Sequence, residues 1–236
     1  SDKADNDVTL TGTVVISGPV DIDVQSANSD GDITFTSTIK GDGSGATDDD
    51  LILDSGTGAI VFNASTIIGG DNVPLKSLVI NSSDSNEALT IPQIGGGDVA
   101  GVSGAVNIGN SNTASISMGA STYDFGTGDV TLVGNTTFTA ATPTVDMIQS
   151  VNGSSVGQAD GGNFDLTGTL TINNGLLDIN TGGGNIDISG NITSAGVDEA
   201  IILDDGDSVG GGATRAGIFT FGGTVTRGDI AVSGDG

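Results

Sequence analysis

The sequence contains no cysteine, histidine or tryptophan, and only five of its 236 residues are basic. Without cysteine and histidine, disulfide bonds are excluded, and zinc sites, thiol catalysis and serine-type hydrolysis lose their usual residues. The 30 acidic residues give a formal charge of −25, which excludes nucleic acid as a partner, because such binding needs Lys and Arg to neutralise phosphates. Anionic membrane surfaces are disfavoured for the same reason.

Long apolar runs and aromatic side chains are also scarce. The longest uncharged stretch, residues 99–123, is interrupted by Ser, Asn and Gly, so insertion into a membrane is not expected. Residues 1–7 are polar and lack the pattern of a signal peptide, and we interpret them as a lead-in to a mature chain or an excerpt from a longer one. With 3% aromatics, the core must consist of Val, Ile, Leu and Ala, which suits thin stacked layers.

Glycine, by contrast, is abundant, and it opens a recurring unit. A Gly is followed by apolar side chains at the second and fourth positions after it. Period-two alternation in runs of about five residues predicts short strands with one buried face, and the 41 glycines disfavour helices. The chain is therefore predicted to be all-β. The unit follows Gly31, Gly58, Gly128, Gly162, Gly184, Gly217 and Gly228.

The spacing of the unit favours a parallel β-solenoid over residues 8–236. Gly58 follows Gly31 by 27 residues, and Gly184 follows Gly162 by 22. These spacings indicate a coil of about 22 to 27 residues that carries insertions of variable length. Stacked coils would pair each strand with the coils above and below it. Tandem β-sandwich modules are the alternative fold, and the scarcity of aromatics and the short irregular spacing argue against them.

An internal duplication relates residues 8–67 to residues 164–225. The segment 10–13 aligns with 166–169, DLILD at 50–54 with AIILD at 200–204, and GAIVF at 58–62 with GIFTF at 217–221. So ordered a series rarely arises by chance. Equivalent slots would place four phenylalanines in one internal aromatic stack: Phe35, Phe62, Phe219 and Phe221.

Runs such as GDITFTSTIKGDG, LILDSGTGAIVFNA and PLKSLVINSS resemble the repeat units of large bacterial surface proteins of the filamentous-haemagglutinin and adhesin type. The resemblance extends over nearly the whole chain and rests on repeat style and composition. It implies a right-handed parallel β-helix, export to the cell surface, and adhesive or structural roles without catalysis.

Clusters of aspartate are the candidate chemical sites. Asp48, Asp49 and Asp50 precede one predicted strand, and Asp204 and Asp205 follow another. A glycosidase needs two carboxyl groups facing each other across a groove, whereas neighbouring Asp residues at a strand end point to opposite faces or into solvent. We therefore interpret these residues as turn aspartates and expect no enzyme activity.

Calcium is the better hypothesis for a site, because Ca²⁺ takes oxygen ligands from Asp, Asn and loop carbonyls. The segment GGGNIDIS at 182–189, which contains Asp187, approaches the nonapeptide calcium repeat of β-rolls. Asp204, Asp205 and Asp207 around Gly206 form a second candidate. A glycine turn that opens a strand is the simpler interpretation of the first segment.

These observations predict a non-enzymatic, extracellular structural or adhesive segment of a repetitive surface protein. Two alternatives stay open: a self-assembling subunit of a filament, sheath or surface layer, and a carbohydrate-active β-helix enzyme. The expected partners are further repeats or copies of the chain, stacked end to end, and glycans or cell surfaces. Neither end shows a capping helix in the sequence, so we expect the termini to lie at opposite ends of an elongated body.

Overall fold

The computed structural model describes residues 7–25, 30–44, 48–81, 88–96, 99–147, 161–194, 200–204, 218–226 and 229–233. These residues form short strands and one 3-10 turn, Gly70–Asn72, confirming the all-β prediction. None of them belongs to a helix long and apolar enough to cross a membrane.

The strands follow one another in sets of three, here called triplets. The first four triplets are β1 (Val8–Leu10), β2 (Val14–Ile16) and β3 (Val20–Asp23); β4 (Ile33–Phe35), β5 (Ile39–Gly41) and β6 (Asp50–Asp54); β7 (Ile60–Phe62), β8 (Ile67–Ile68) and β9 (Ser77–Asn81); and β10 (Ala88–Ile91), β11 (Gln93–Ile94) and β12 (Val106–Ile108).

The next four triplets, and two strands after them, are β13 (Ser115–Met118), β14 (Thr122–Asp124) and β15 (Val130–Val133); β16 (Asn135–Phe138), β17 (Thr144–Asp146) and β18 (Phe164–Thr167); β19 (Leu170–Ile172), β20 (Leu176–Asn180) and β21 (Ile186–Ile188); β22 (Ile192–Ser194), β23 (Ala200–Asp204) and β24 (Phe219–Phe221); and β25 (Val225–Thr226) and β26 (Asp229–Ser233).

Each strand pairs in parallel with the strand three positions before or after it, so the three strands of a triplet lie in three different sheets. Sheet A contains the first strand of every triplet, sheet B the second and sheet C the third. The hydrogen-bonded ladder is continuous in sheets B and C. In sheet A it consists of two groups, because β7 and β10 are in contact but do not pair. This order is consistent with a parallel β-helix or solenoid.

One hydrophobic cluster fills the space between the sheets. It contains Ile33 and Ile60 from sheet A, Ile39 from sheet B and Leu51 from sheet C. Ile33 and Ile60 are paired in register and both are buried, as the spacing of the glycine unit predicts. The three sheets therefore share a core built from the alternating inward positions of their strands.

Phenylalanine stacking occurs within one sheet. The rings of Phe35 and Phe62, paired between β4 and β7, stack with centroids 5.6 Å apart. Phe219 and Phe221 do not join this stack, because they belong to β24 of sheet C at the other end of the sheets. The prediction of one stack of four phenylalanines therefore holds for Phe35 and Phe62 and is wrong for Phe219 and Phe221.

The glycine that opens the unit is required by the close approach of successive triplets. A Cβ at Gly58 would lie 2.1 Å from the Gly31 carbonyl oxygen, and one at Gly162 would lie 2.1 Å from the Gly128 carbonyl oxygen. Gly184 in turn would meet the Gly162 oxygen at 2.0 Å. These glycines form columns at the turns, where no side chain fits.

Side-chain oxygens directly after the glycine column connect one triplet to the next. Asp129 Oδ1 accepts a hydrogen bond from the Asn163 N–H at 2.8 Å, and Asn163 Oδ1 accepts one from the Asn185 N–H at 2.9 Å. Asn185 Oδ1 continues the series by accepting the Ile218 N–H. Asp or Asn after glycine therefore satisfies a backbone donor directly before β18, β21 and β24 of sheet C.

The two halves of the duplicated sequence occupy different sheets. The alignment relates β1 of sheet A to β18 of sheet C, and β2 of sheet B to β19 of sheet A. The glycine column shows the same shift: Gly31 and Gly58 precede sheet A strands, whereas Gly128, Gly162 and Gly184 precede sheet C strands. The same strand-and-turn sequence thus serves on more than one face.

Candidate functional site

Asp187, the first calcium candidate, lies on the outer surface of β21 between two buried isoleucines. Its register neighbour on β18 is Asp165. Burial raises the pKa of the half-buried Asp165 carboxyl, and the charges of Asp187 and Asp129 raise it further. The structure therefore brings Asp187 beside a second carboxylate that the sequence analysis did not include.

The other calcium candidates are not brought together in the part of the chain that the structure describes. Asp204 ends β23, and its side chain lies outside the described part, as do residues Asp205 and Asp207. Among the described residues, no group of three or more carboxylate, imidazole or thiol side chains has the arrangement of a metal site. Calcium binding at these residues stays a prediction.

The Asp48–Asp50 run alternates between solvent and core, as expected of neighbours at a strand end. Asp48 is exposed, Asp49 is only 1% exposed, and Asp50 is half-buried and accepts a hydrogen bond from the Ser77 hydroxyl. The three carboxyl groups therefore do not face one another across a groove. This geometry supports their interpretation as structural residues.

Asp49 is a buried acid that sequence reasoning treated as one more turn residue. Its Oδ2 accepts the Asp42 N–H at 3.2 Å, while its Oδ1 is buried and has no hydrogen-bond partner among the described residues. Burial is the main cause that raises the pKa of this carboxyl, and three neighbouring aspartates add to the shift. No signal in the sequence separates Asp49 from Asp48, because both precede the same strand.

Replacing Asp49 by asparagine is expected to stabilise the fold at neutral pH. With the pKa of Asp49 raised on folding, the native state binds more protons than the unfolded state between the two pKa values, so ionisation lowers stability as pH rises through that window. Asp49→Asn removes the charge and should raise the free energy of unfolding at pH 7 by about 1–2 kcal/mol. Urea denaturation between pH 4 and pH 8 measures the gain, which should shrink towards acid pH.

The control for this variant is Asp21→Asn, which removes one charge from an exposed position on β3. It isolates the effect of net charge from that of burial. An equal gain from both variants, or a gain from Asp49→Asn that does not change with pH, would contradict the assignment of the effect to the buried carboxyl.

A groove of about 450 Å³ lies on the outer surface where sheet A turns into sheet B. Three successive turns form it, and their lengths differ. Residues 63–66 join β7 to β8, Pro92 alone joins β10 to β11, and residues 119–121 join β13 to β14. Because the middle turn has one residue and its neighbours have four and three, the surface is recessed at Pro92.

Pro92 also interrupts the hydrogen bonding at this turn. In other triplets the first residue after the sheet A strand donates its N–H to the preceding triplet: Asn63 to the Phe35 carbonyl, and Asn173 to the Phe138 carbonyl. Pro92 holds this place after β10 and has no N–H to give. Within the described residues, the Phe62 carbonyl therefore lacks the donor that its equivalents have.

The groove is lined by residues with amide and hydroxyl side chains and by apolar residues. Asn63, Thr90 and Ser121 are exposed around it. Gln93 is half-buried, and its Nε2 donates to the Gly95 carbonyl at 2.9 Å. Phe62 is covered on one face by Phe35 and contributes to the lining. None of the described residues that line this groove has an ionisable side chain.

Comparison of the chain with protein-family models, with curated proteins and with solved structures finds no match. The features that bear on function are therefore the sheets, the buried carboxyl group of Asp49 and the groove.

Proposed function

We propose that the chain is a non-enzymatic structural segment of a repetitive extracellular surface protein, wound as a right-handed parallel β-helix. The observation that carries this proposal is the pairing of every strand with the strand three positions away, in three sheets around one core. Such a body grows in one direction only, by about 4.8 Å per strand. Its nine-stranded sheet spans roughly 40 Å, so its use is to provide length and a repeated surface.

The right-handed winding is supported by a general rule. A strand followed by a crossover and a parallel strand in the same sheet is right-handed in about 98% of cases. Successive triplets make such connections in sheets B and C, and in sheet A at every step except that from β7 to β10. The repeat units that resemble bacterial adhesins imply the same hand.

A surface location is supported by composition and by the outward positions of the strands. Many of these positions carry Thr, Asn, Asp or Ser, as in Thr34, Asn107, Thr131 and Asp187, while Val15 and Val61 are exposed apolar exceptions. A formal charge of −25 keeps such a body soluble and apart from other anionic molecules. Display outside the cell, in contact with neighbouring repeats or cell surfaces, fits this surface.

Small-angle X-ray scattering on the purified chain tests the shape, and antibody labelling of intact source cells tests the location. We expect the scattering of a rod with a constant cross-section, and labelling without permeabilisation. A globular scattering profile would overturn the β-helix, and labelling that appears only after permeabilisation would overturn the surface role.

A further inference from the structure

The groove at Pro92 has the properties of a binding site for an uncharged, hydroxyl-rich ligand, and we propose that it binds a short neutral saccharide. Its volume of about 450 Å³ falls within the range of roughly 300–1,000 Å³ found for small-molecule sites. The binding role goes beyond the structural role proposed above and does not depend on it.

The polar groups of the groove match the hydroxyl groups of a sugar. Within the described residues, the Phe62 carbonyl offers an acceptor because Pro92 has no N–H to donate to it. Asn63 offers an amide whose side chain makes no hydrogen bond within the part of the chain that the structure describes, and Gln93 has its Nε2 fixed on the Gly95 carbonyl, which leaves its Oε1 as an acceptor. Acceptors and donors set around a recess orient a ligand that carries several O–H groups.

The apolar residues of the lining include Phe62, whose ring packs against the core. Phe35 covers one face of this ring at a centroid distance of 5.6 Å and holds it in place. Phe62 is half-buried and is among the residues that line the groove. An apolar surface with polar groups beside it is suited to the C–H face of a sugar ring.

Charge decides between neutral and acidic ligands. The chain carries −25, which repels anionic polysaccharides, and among the described residues no Lys or Arg lines the groove to offset that repulsion. The described lining contains no carboxylate either, so it offers a cation no charged ligand. A neutral saccharide is not repelled by the negative charge and needs no charged ligand.

The test is a binding assay of the full chain against immobilised neutral oligosaccharides of glucose, galactose, mannose and N-acetylhexosamines, with uronic-acid and sulfated oligosaccharides beside them. Hits are followed by calorimetry. Asn63→Ala and Gln93→Ala are each expected to weaken binding of a neutral hit about tenfold, through loss of a hydrogen-bonding side chain. Phe62→Leu keeps an apolar residue in the core and should weaken it by a similar factor.

The matched control is Asn107→Ala, an exposed asparagine on sheet C away from the groove, which should leave binding unchanged. Thermal melting of each variant separates loss of the site from loss of the fold. Binding of acidic oligosaccharides only, absence of binding to any oligosaccharide, or equal affinity of Asn63→Ala, Gln93→Ala and wild type would overturn the proposal. None of these results would alter the scattering profile. A failure of the saccharide proposal can therefore be distinguished from a failure of the β-helix proposal.

Discussion

Replacing Gly162 by alanine is expected to destabilise the fold by about 3 kcal/mol, the upper part of the range for overpacked positions. An added Cβ would lie 2.1 Å from the carbonyl oxygen of Gly128 and 2.3 Å from its carbonyl carbon. Both atoms belong to the backbone, and the carbonyl of the next residue, Asn163, accepts a hydrogen bond from the N–H of Val130. Relief of the clash must therefore move one triplet away from the next. Urea denaturation followed by circular dichroism measures the loss.

Gly119→Ala is the control, because it makes the same chemical change without the clash. Gly119 is exposed, its nearest atom to an added Cβ is Thr139 Oγ1 at 3.4 Å, and its φ is not in the left-handed region. The expected change is within about 0.5 kcal/mol. Equal denaturation midpoints for Gly162→Ala and Gly119→Ala would refute the interpretation that triplet spacing selects these glycines.

Strand positions and the buried face could be predicted from the sequence because they depend on local pattern. The second and fourth residues after Gly128 and Gly162 are Val130, Leu132, Phe164 and Leu166, and all four are buried. Alternation with a period of two requires this on any sheet with one face in a core. The parallel pairing of strands between successive repeats follows from the same pattern.

The face on which each strand lies could not be predicted, because sheets A and C present the same requirement. The turn before β4 of sheet A and the turn before β21 of sheet C both combine a glycine with an Asp or Asn. In each, the side-chain oxygen accepts a backbone N–H from the next triplet: Asp32 from Ala59, and Asn185 from Ile218. Sequence similarity therefore identifies the unit but not its sheet, which explains the shift between duplicated strands and the failed grouping of Phe219 with Phe35.

The groove could not be predicted for a different reason. A recess at Pro92 requires comparison of the turns before and after it, and those turns become neighbours only when the triplets are stacked. Pro92 is visible in the sequence as a residue that interrupts hydrogen bonding, but the acceptor that it leaves without a donor, the Phe62 carbonyl, lies 30 residues earlier. The burial of Asp49 was hidden for the same reason, since Pro74 and Lys76 of the next triplet lie beside it.

Truncating Phe164 to alanine is expected to cost about 3–5 kcal/mol, the range for a fully buried phenylalanine. Phe164 lies in sheet C with Val130 in register on one side and Ile186 on the other, and all three are fully buried. The cavity therefore opens between two triplets that hold each other in place. Because stability in stacked repeats depends on contacts between neighbours, urea denaturation should also show a broader transition, as the parts on either side of the cavity unfold less cooperatively.

Phe219→Ala is the matched comparison, since Phe219 occupies the same column two triplets further on and pairs with Ile186. Phe219 is only partly buried, so its truncation removes less apolar surface from the core and should cost about 1 kcal/mol. Phe164→Leu, which keeps most of the volume, should recover more than half of the loss. A cost for Phe219→Ala equal to that for Phe164→Ala would show that the stability of the column does not depend on having a buried neighbour on both sides, and the nearest-neighbour account of this fold would then be wrong.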